Sequence, residues 1–196
     1  TSDGKYLPEI IGDTPIVIVD QIIKNFDTDF VILDDINNVY KAVEAFIRRG
    51  HERIGIICGQ QRLYTAQERL EGYKRALQDY HIPINEDLIR INKYTEESGY
   101  RCMKELLDLD NPPTAVLPTN YNQTKGAIIA IHEKQVSIPD ELSFIGYNVE
   151  ELTTIFQPNL SGVVEPIVKI GKKTAEILYE KMQNRDQQEE KYKLHR

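Results

Sequence analysis

The stretch NNVYKAVEAFIRRGHERIGIICGQQ, residues 37–61, decides the fold class. Residues 37–49 carry a helical pattern, Gly50 suits the left-handed residue that ends such a helix, and 54–58 is a continuous apolar run instead of an alternating one. A strand covered by helices on both faces reads this way, because neither side meets water. Working outward, similar short runs recur at 16–19, 30–33, 88–91, 114–117, 142–145 and 160–164, separated by helical patterns at 65–80, 96–108, 123–135 and 167–183. Thr95 is placed to cap the helix at 96, where Glu96 and Glu97 meet the positive end of its dipole. The alternation predicts an α/β doubly wound class, with parallel sheets flanked by helices. Pro83, Pro112, Pro113, Pro139 and Pro158 punctuate the connections, and the polar tail 184–193 reads as an exposed turn or loop.

Composition narrows the function. A chain of 196 residues with 40% hydrophobic content can bury real cores without metal or disulfide staples. The net charge of -7 is spread along the chain, and no basic patch interleaved with aromatics offers a track for phosphates, so these residues alone are not expected to grip nucleic acid. Two cysteines, Cys58 and Cys102, form no CxxC and fit a reducing, cytoplasmic setting. No run is long enough for a membrane helix, and the first residues lack the pattern of a signal peptide. His51, His81, His132 and His195 show no metal-ligand spacing. Neither a nucleophile elbow nor a Gly-rich phosphate loop is found, so no enzyme, cofactor or metal is expected. Cys58, at a strand end, reads as a small buried residue, and His51 as the residue that positions the turn 49–53.

Polar side chains collect where ligands bind in such folds, at the carboxyl ends of strands. Just past the predicted strands stand Asp20, Asp34, Asp35, Gln60, Gln61, Tyr94, Asn120, Tyr121 and Asn148. These groups donate and accept hydrogen bonds or stack on an apolar sugar face, which suits recognition of a polyhydroxyl ligand. Each also has a purely structural reading, since Asp, Asn and Gln cap helices and make turns.

The motifs in order then resemble one family. VEAFIRRGHERI (43–54) with ICG (57–59), AQERLEGY (66–73), PTAV (113–116) with Thr119-Asn120, IPDELSFIGY (138–147), Pro158 with Leu160, Glu165-Pro166 and Gly171 are together similar to the effector domains of the lac-repressor/galactose-repressor (LacI/GalR) family. The resemblance implies a two-lobed, periplasmic-binding-protein-like (type I) fold with an effector held between the lobes. It places 1–34 and 163–185 in an incomplete N-terminal lobe and 35–162 in the C-terminal lobe, with 186–196 assigned, as an option, to the latter. The family's DNA-binding helix-turn-helix does not lie in this stretch, so operator DNA would be reached only through a segment upstream. The implied function is allosteric: a small effector, a sugar or sugar phosphate, alters operator affinity in a cytoplasmic transcription regulator. A periplasmic or secreted sugar-binding transport receptor of the same fold stays open as the alternative, as does an α/β enzyme with its catalytic groups elsewhere. Carried over by position, the effector contacts are Asp20, Arg69, Asn120 and Asn148, joined by Gln61, Tyr121 and Glu165. Three positions depart from the pattern: Tyr121 and Asn148 replace the usual Asp, and Glu165 stands where Gln is common.

A homodimer is expected as well. Ala127, Ile128, Ile129, Ala130 and Ile131 are consecutive, so on a helix they point all round the cylinder, whereas packing on a sheet needs one stripe. The resemblance places Lys125, Ile128, Ile129, His132 and Phe156 at the subunit contact.

Overall fold

Strand β3 (Ile54–Cys58) is buried along its whole length and organises the larger part of the chain. In the computed structural model, which describes residues 4–150, 159–183 and 191–194, it lies inside a five-stranded sheet. Its neighbours are β4 (Ile89–Ile91), β5 (Ala115–Pro118), β6 (Ser143–Tyr147) and β7 (Ser161–Val163), in the order β4-β3-β5-β6-β7. Every pairing is parallel. Helices α2 (Asp35–Ile47) and α3 (Tyr64–Asp79) cover one face, with Val39, Val43, Phe46, Tyr73 and Leu77 packed on Ile54, Ile56 and Leu117. Helices α4 (Glu96–Leu107) and α5 (Tyr121–Glu133) cover the other, where Met103, Leu106, Ala127 and Ile131 meet Ile57, Val116 and Phe144. The pleat explains the division: Ile56 faces one core and Ile57 the other.

The chain divides into two compact units, one made of Thr1–Asp34, Arg62–Thr65 and Pro166–Arg196, the other of Asp35–Gln61 and Ala66–Glu165. The smaller holds α1 (Leu7–Ile11) and a three-stranded parallel sheet, β1 (Val17–Val19), β2 (Asp29–Leu33) and β8 (Lys191–Leu194), in that order. Helix α6 (Ile167–Gln183) lays Ile170 and Ile177 on Val31 and Leu33, while its Lys181 ammonium pairs with the buried Asp29 carboxylate. The far side of α6 exposes Ile167, Val168, Tyr179 and Met182.

Two expectations need correcting. The tail is not all loop and does not return to the larger unit: 191–194 forms a strand beside β2, whose open edge it pairs, and Lys193 reaches Asp34 at 2.9 Å. The surrounding run of charged and amide residues hid that short strand. Nor is α5 bare on its outer side. Of the three isoleucines of α5, Ile128 and Ile131 are buried within the chain and Ile129 is exposed. The reason is α4, which packs on α5 with backbone against backbone. A Cβ on Gly126 would lie 1.9 Å from the Glu96 carbonyl oxygen, and one on Gly99 would lie 2.2 Å from that of Gln123, so side chains larger than hydrogen do not fit. His132 is exposed and Lys125 pairs with Glu96 at 2.7 Å, while Phe156 lies outside the described residues.

Candidate functional site

The strand order places β4 on one side of β3 and β5 on the other, so the chain reverses its direction of winding at the carboxyl ends of β3 and β5. Connections diverge at such a point and leave backbone groups facing a shared space. Thr119, directly after β5, fixes the junction: its amide and its hydroxyl both donate to the Ile57 carbonyl, at 2.9 and 3.1 Å. From α5 the fully buried Gln123 donates its amide to the Cys58 and Lys93 carbonyls, at 3.2 and 3.1 Å, tying the ends of β3 and β4 together.

Arg69, from α3, enters this junction with only 5% of its surface exposed. Its guanidinium is held on several sides. Nη1 donates to the Thr119 carbonyl at 2.6 Å, Nη2 to Glu165 Oε1 at 2.8 Å, and Nε lies 3.2 Å from Asp35 Oδ2. The plane rests 4.4 Å from the centroid of the Tyr147 ring and 6.0 Å from that of Tyr94, within reach of cation–π attraction. Burial acts to lower its pKa, but Tyr147, Asp35, Tyr94 and Glu165 outweigh it and hold the pKa well above the ordinary arginine value. The group is a permanent cation.

Its partners are themselves positioned. Asp35 is the first residue of α2, where the helix dipole favours a carboxylate, and its Oδ1 accepts from the Tyr147 hydroxyl at 2.8 Å. Glu165 is locked to Asn148 in both directions: the Asn148 side-chain NH2 donates to Glu165 Oε2 at 2.7 Å, and the Glu165 amide donates to Asn148 Oδ1 at 2.7 Å. Tyr94 lies over Gly59, where an added Cβ would come within 2.2 Å of the ring. Asn148 has φ +54° and donates its amide to Val163; in the smaller unit Asp20 has φ +58° and donates its amide to Val31, so each turns its strand end in the same way. Asparagine and aspartate tolerate this left-handed conformation better than most side chains.

Of the residues singled out from sequence, Arg69, Asn148 and Glu165 are brought together here, with Asp35 and Tyr94 from the wider polar set. Arg69 pairs across the fold, with Asp35 and Glu165. Asn120 caps α5, its Oδ1 accepting from the Asn122 amide at 3.0 Å. Gln61 turns back on its own loop, donating to the Gly59 and Ala66 carbonyls at 3.0 and 3.2 Å. Tyr121 stands on the first turn of α5 against Lys125, and Asp20 belongs to the smaller unit. Tyr147 and Thr119, which the sequence does not single out as candidates, also contact this group: each ends or follows an apolar strand, and nothing local announces that the Tyr147 hydroxyl meets Asp35, far away in sequence. The buried Cys58 thiol is pushed up in pKa by burial against the pull of Thr119 and Arg69, as suits an inert core residue. Among the described residues no group of three His, Cys, Asp or Glu could hold a metal ion, and no helix is long and apolar enough to cross a membrane.

Comparison with known proteins shows the family of the chain. Residues 43–195 match the periplasmic binding protein-like domain family. The chain is 30% identical over 193 residues to the HTH-type transcriptional repressor PurR of Mannheimia succiniciproducens, covering 98% of this chain and 58% of that protein. It is 37% identical over 157 residues to the probable HTH-type transcriptional repressor ExuR of Bacillus subtilis, covering 80% of this chain and 47% of that protein. The crystal structure of a LacI family transcriptional regulator from Enterococcus faecium with bound ribose superposes with a TM-score of 0.86 at 26% identity, covering 100% of this chain and 72% of that one. The chain thus spans about half the length of the curated relatives it matches.

Proposed function

The chain belongs to the periplasmic binding protein-like family, in the branch of LacI-type regulators, and from that premise we propose that it is the effector-binding part of a transcription regulator whose ligand is a sugar. The observation that carries the reading is the Arg69 junction. A guanidinium, two carboxylates, a carboxamide and two tyrosines converge at the switch point of a parallel sheet, on donors and acceptors suited to vicinal hydroxyls. The names of the curated relatives favour a regulator over a transport receptor or an enzyme. In the complete protein, acting in the cytoplasm, effector binding shifts the population of a form with altered operator affinity. Operator contact is made by an upstream segment.

A thermal-shift screen of sugars tests the proposal, since a ligand that binds only the folded state raises the melting temperature. A sugar that stabilises the protein, and whose affinity changes when operator DNA is bound to the full-length regulator, is the expected result. Linkage requires the operator to change effector affinity by the same factor as the effector changes operator affinity. Identical effector affinities with and without operator would refute the regulatory reading.

We propose in addition that the regulator is a homodimer using the outer edge of α5, with Lys125, Ile129 and His132 in one helical row; the buried Ile128 drops out of the contact. Ile129→Glu is expected to shift sedimentation from dimer toward monomer, and a wild-type protein that stays monomeric at high micromolar concentration would refute this.

A further inference from the structure

Arg69 is the residue type that binds carboxylates and phosphates, and its surroundings turn it away from that use. The guanidinium lies against the carboxylates of Asp35 and Glu165 at 3.2 and 2.8 Å, so these three charged groups sum to -1 before any ligand arrives. Asp35 is nearly inaccessible, with 3% of its side chain exposed, and its second oxygen is taken by Tyr147. Glu165 does not stand aside easily, because its Oε1 accepts from Arg69 at 2.8 Å and its Oε2 from the Asn148 NH2 at 2.7 Å, while its backbone amide donates back to Asn148 Oδ1 and holds that partner in place. An anionic ligand would therefore meet a cation that is already over-matched, or would have to displace a carboxylate that is bonded at both ends. A hydroxyl group meets no such conflict. It donates to a carboxylate oxygen and accepts from a guanidinium N–H at once, using the neutral part of the arrangement.

Resting on the sugar-effector reading above, we infer that this site selects an uncharged polyhydroxyl ligand and rejects its acidic or phosphorylated counterpart, with Glu165 as the residue that sets the selectivity. Glu165 is suited to the role because, at 16% side-chain exposure, it is the most accessible of the three charged groups. A glutamine at this position would keep the shape and the bond from Arg69 while removing the charge, so the triad would become neutral overall.

The test uses matched pairs of probes on the complete protein and on Glu165→Gln: glucose with glucose 6-phosphate, galactose with galacturonate, and ribose with ribose 5-phosphate, each followed by calorimetry. In at least one pair the wild type is expected to bind the neutral member more tightly than the charged one by about tenfold or more, the order of effect for like charges in a poorly solvated site. Glu165→Gln is expected to shrink or reverse that ratio. Binding of a charged member to the wild type as tight as that of its neutral partner overturns the inference, as does a ratio unchanged in Glu165→Gln. If the variant does not fold, the wild-type ratio decides alone. A panel in which nothing binds to either protein overturns the sugar-effector reading itself, which is a different failure from binding with the wrong preference.

Discussion

Arg69→Ala reads, from sequence alone, as a variant that loses ligand and keeps its fold. The geometry predicts otherwise. Removing the guanidinium withdraws the partner of Asp35 and of Glu165, whose side chains are 3% and 16% exposed, and leaves the Thr119 carbonyl without its 2.6 Å donor. Breaking a buried ion pair from one side costs about 3–5 kcal/mol, because the remaining charge stays desolvated. Glu165 can recover part of its hydration, which pulls the figure toward the lower end; Asp35 keeps only its bond from Tyr147 and its place at the start of α2. For a protein of this size, 1 kcal/mol moves the melting temperature by about 2–4 °C, so a loss of roughly 6–20 °C is expected. Calorimetric or circular-dichroism melts of both proteins at neutral pH measure it. The neutral triple variant Arg69→Met, Asp35→Asn, Glu165→Gln should recover most of the loss, since no buried charge is then left uncompensated. A melting temperature for Arg69→Ala within about 2 °C of wild type would show that the junction is hydrated or rearranged in solution and would refute the reasoning.

Gly126→Ala is expected to destabilise by about 3 kcal/mol or more, since its Cβ would sit 1.9 Å from a backbone oxygen of α4 and only separation of the two helices can make room; a denaturant midpoint equal to wild type would contradict that packing. Asn120→Ala should cost about 1 kcal/mol through loss of the α5 cap, and Asn120→Asp should retain most of it, both read in urea titrations; equal losses would mean the side chain does something other than capping. His51 has its pKa lowered below 6.5 by burial, then by Arg49, so the folded state holds its proton less well than the unfolded chain. Its contribution is fully present above about pH 6.5 and is lost as pH falls through the lower folded-state value, a slope that His51→Gln should flatten in melts taken between pH 7.5 and 5.

Much of the fold was legible because its signals are local. The buried run at β3, the left-handed Gly50 at φ +87° and the Thr95 cap each depend on a few neighbouring residues, and each stands where the pattern puts it. His51 does fix its turn, through a 2.9 Å contact with Thr114. What escaped the sequence is long-range. Part of the apolar surface of α5, at Ile128 and Ile131, looked unpartnered because α4 covers it, and the clue lay in Gly99 and Gly126, two small residues on separate helices with no local reason to be read together. The site divides in the same way. Arg69, Asn148 and Glu165, read from strand ends and family motifs, do meet in one place, whereas Asn120 and Gln61 each make a hydrogen bond within their own loop, a use that their residue types always allow.

The charge arrangement around Arg69 is hard to explain as a device for stability. Two carboxylates and a guanidinium must all be stripped of water, and neutral side chains of similar volume commonly hold a protein interior together as well or better. Leucine or methionine at 69, with neutral side chains also at 35 and 165, could fill the same space between Tyr147 and Thr119 with no desolvation of charge at all. The same groups make sense if they are kept for what they present. Asp35 and Tyr147 hold the guanidinium from within, Asn148 holds Glu165 beside it, and together these contacts fix donors and acceptors before a ligand arrives, so that binding loses little freedom in ordering them. The neutral triple variant separates the two explanations: a stabilising role for the charges requires it to melt about as low as Arg69→Ala, while a recognition role requires it to melt close to wild type and to lose ligand binding.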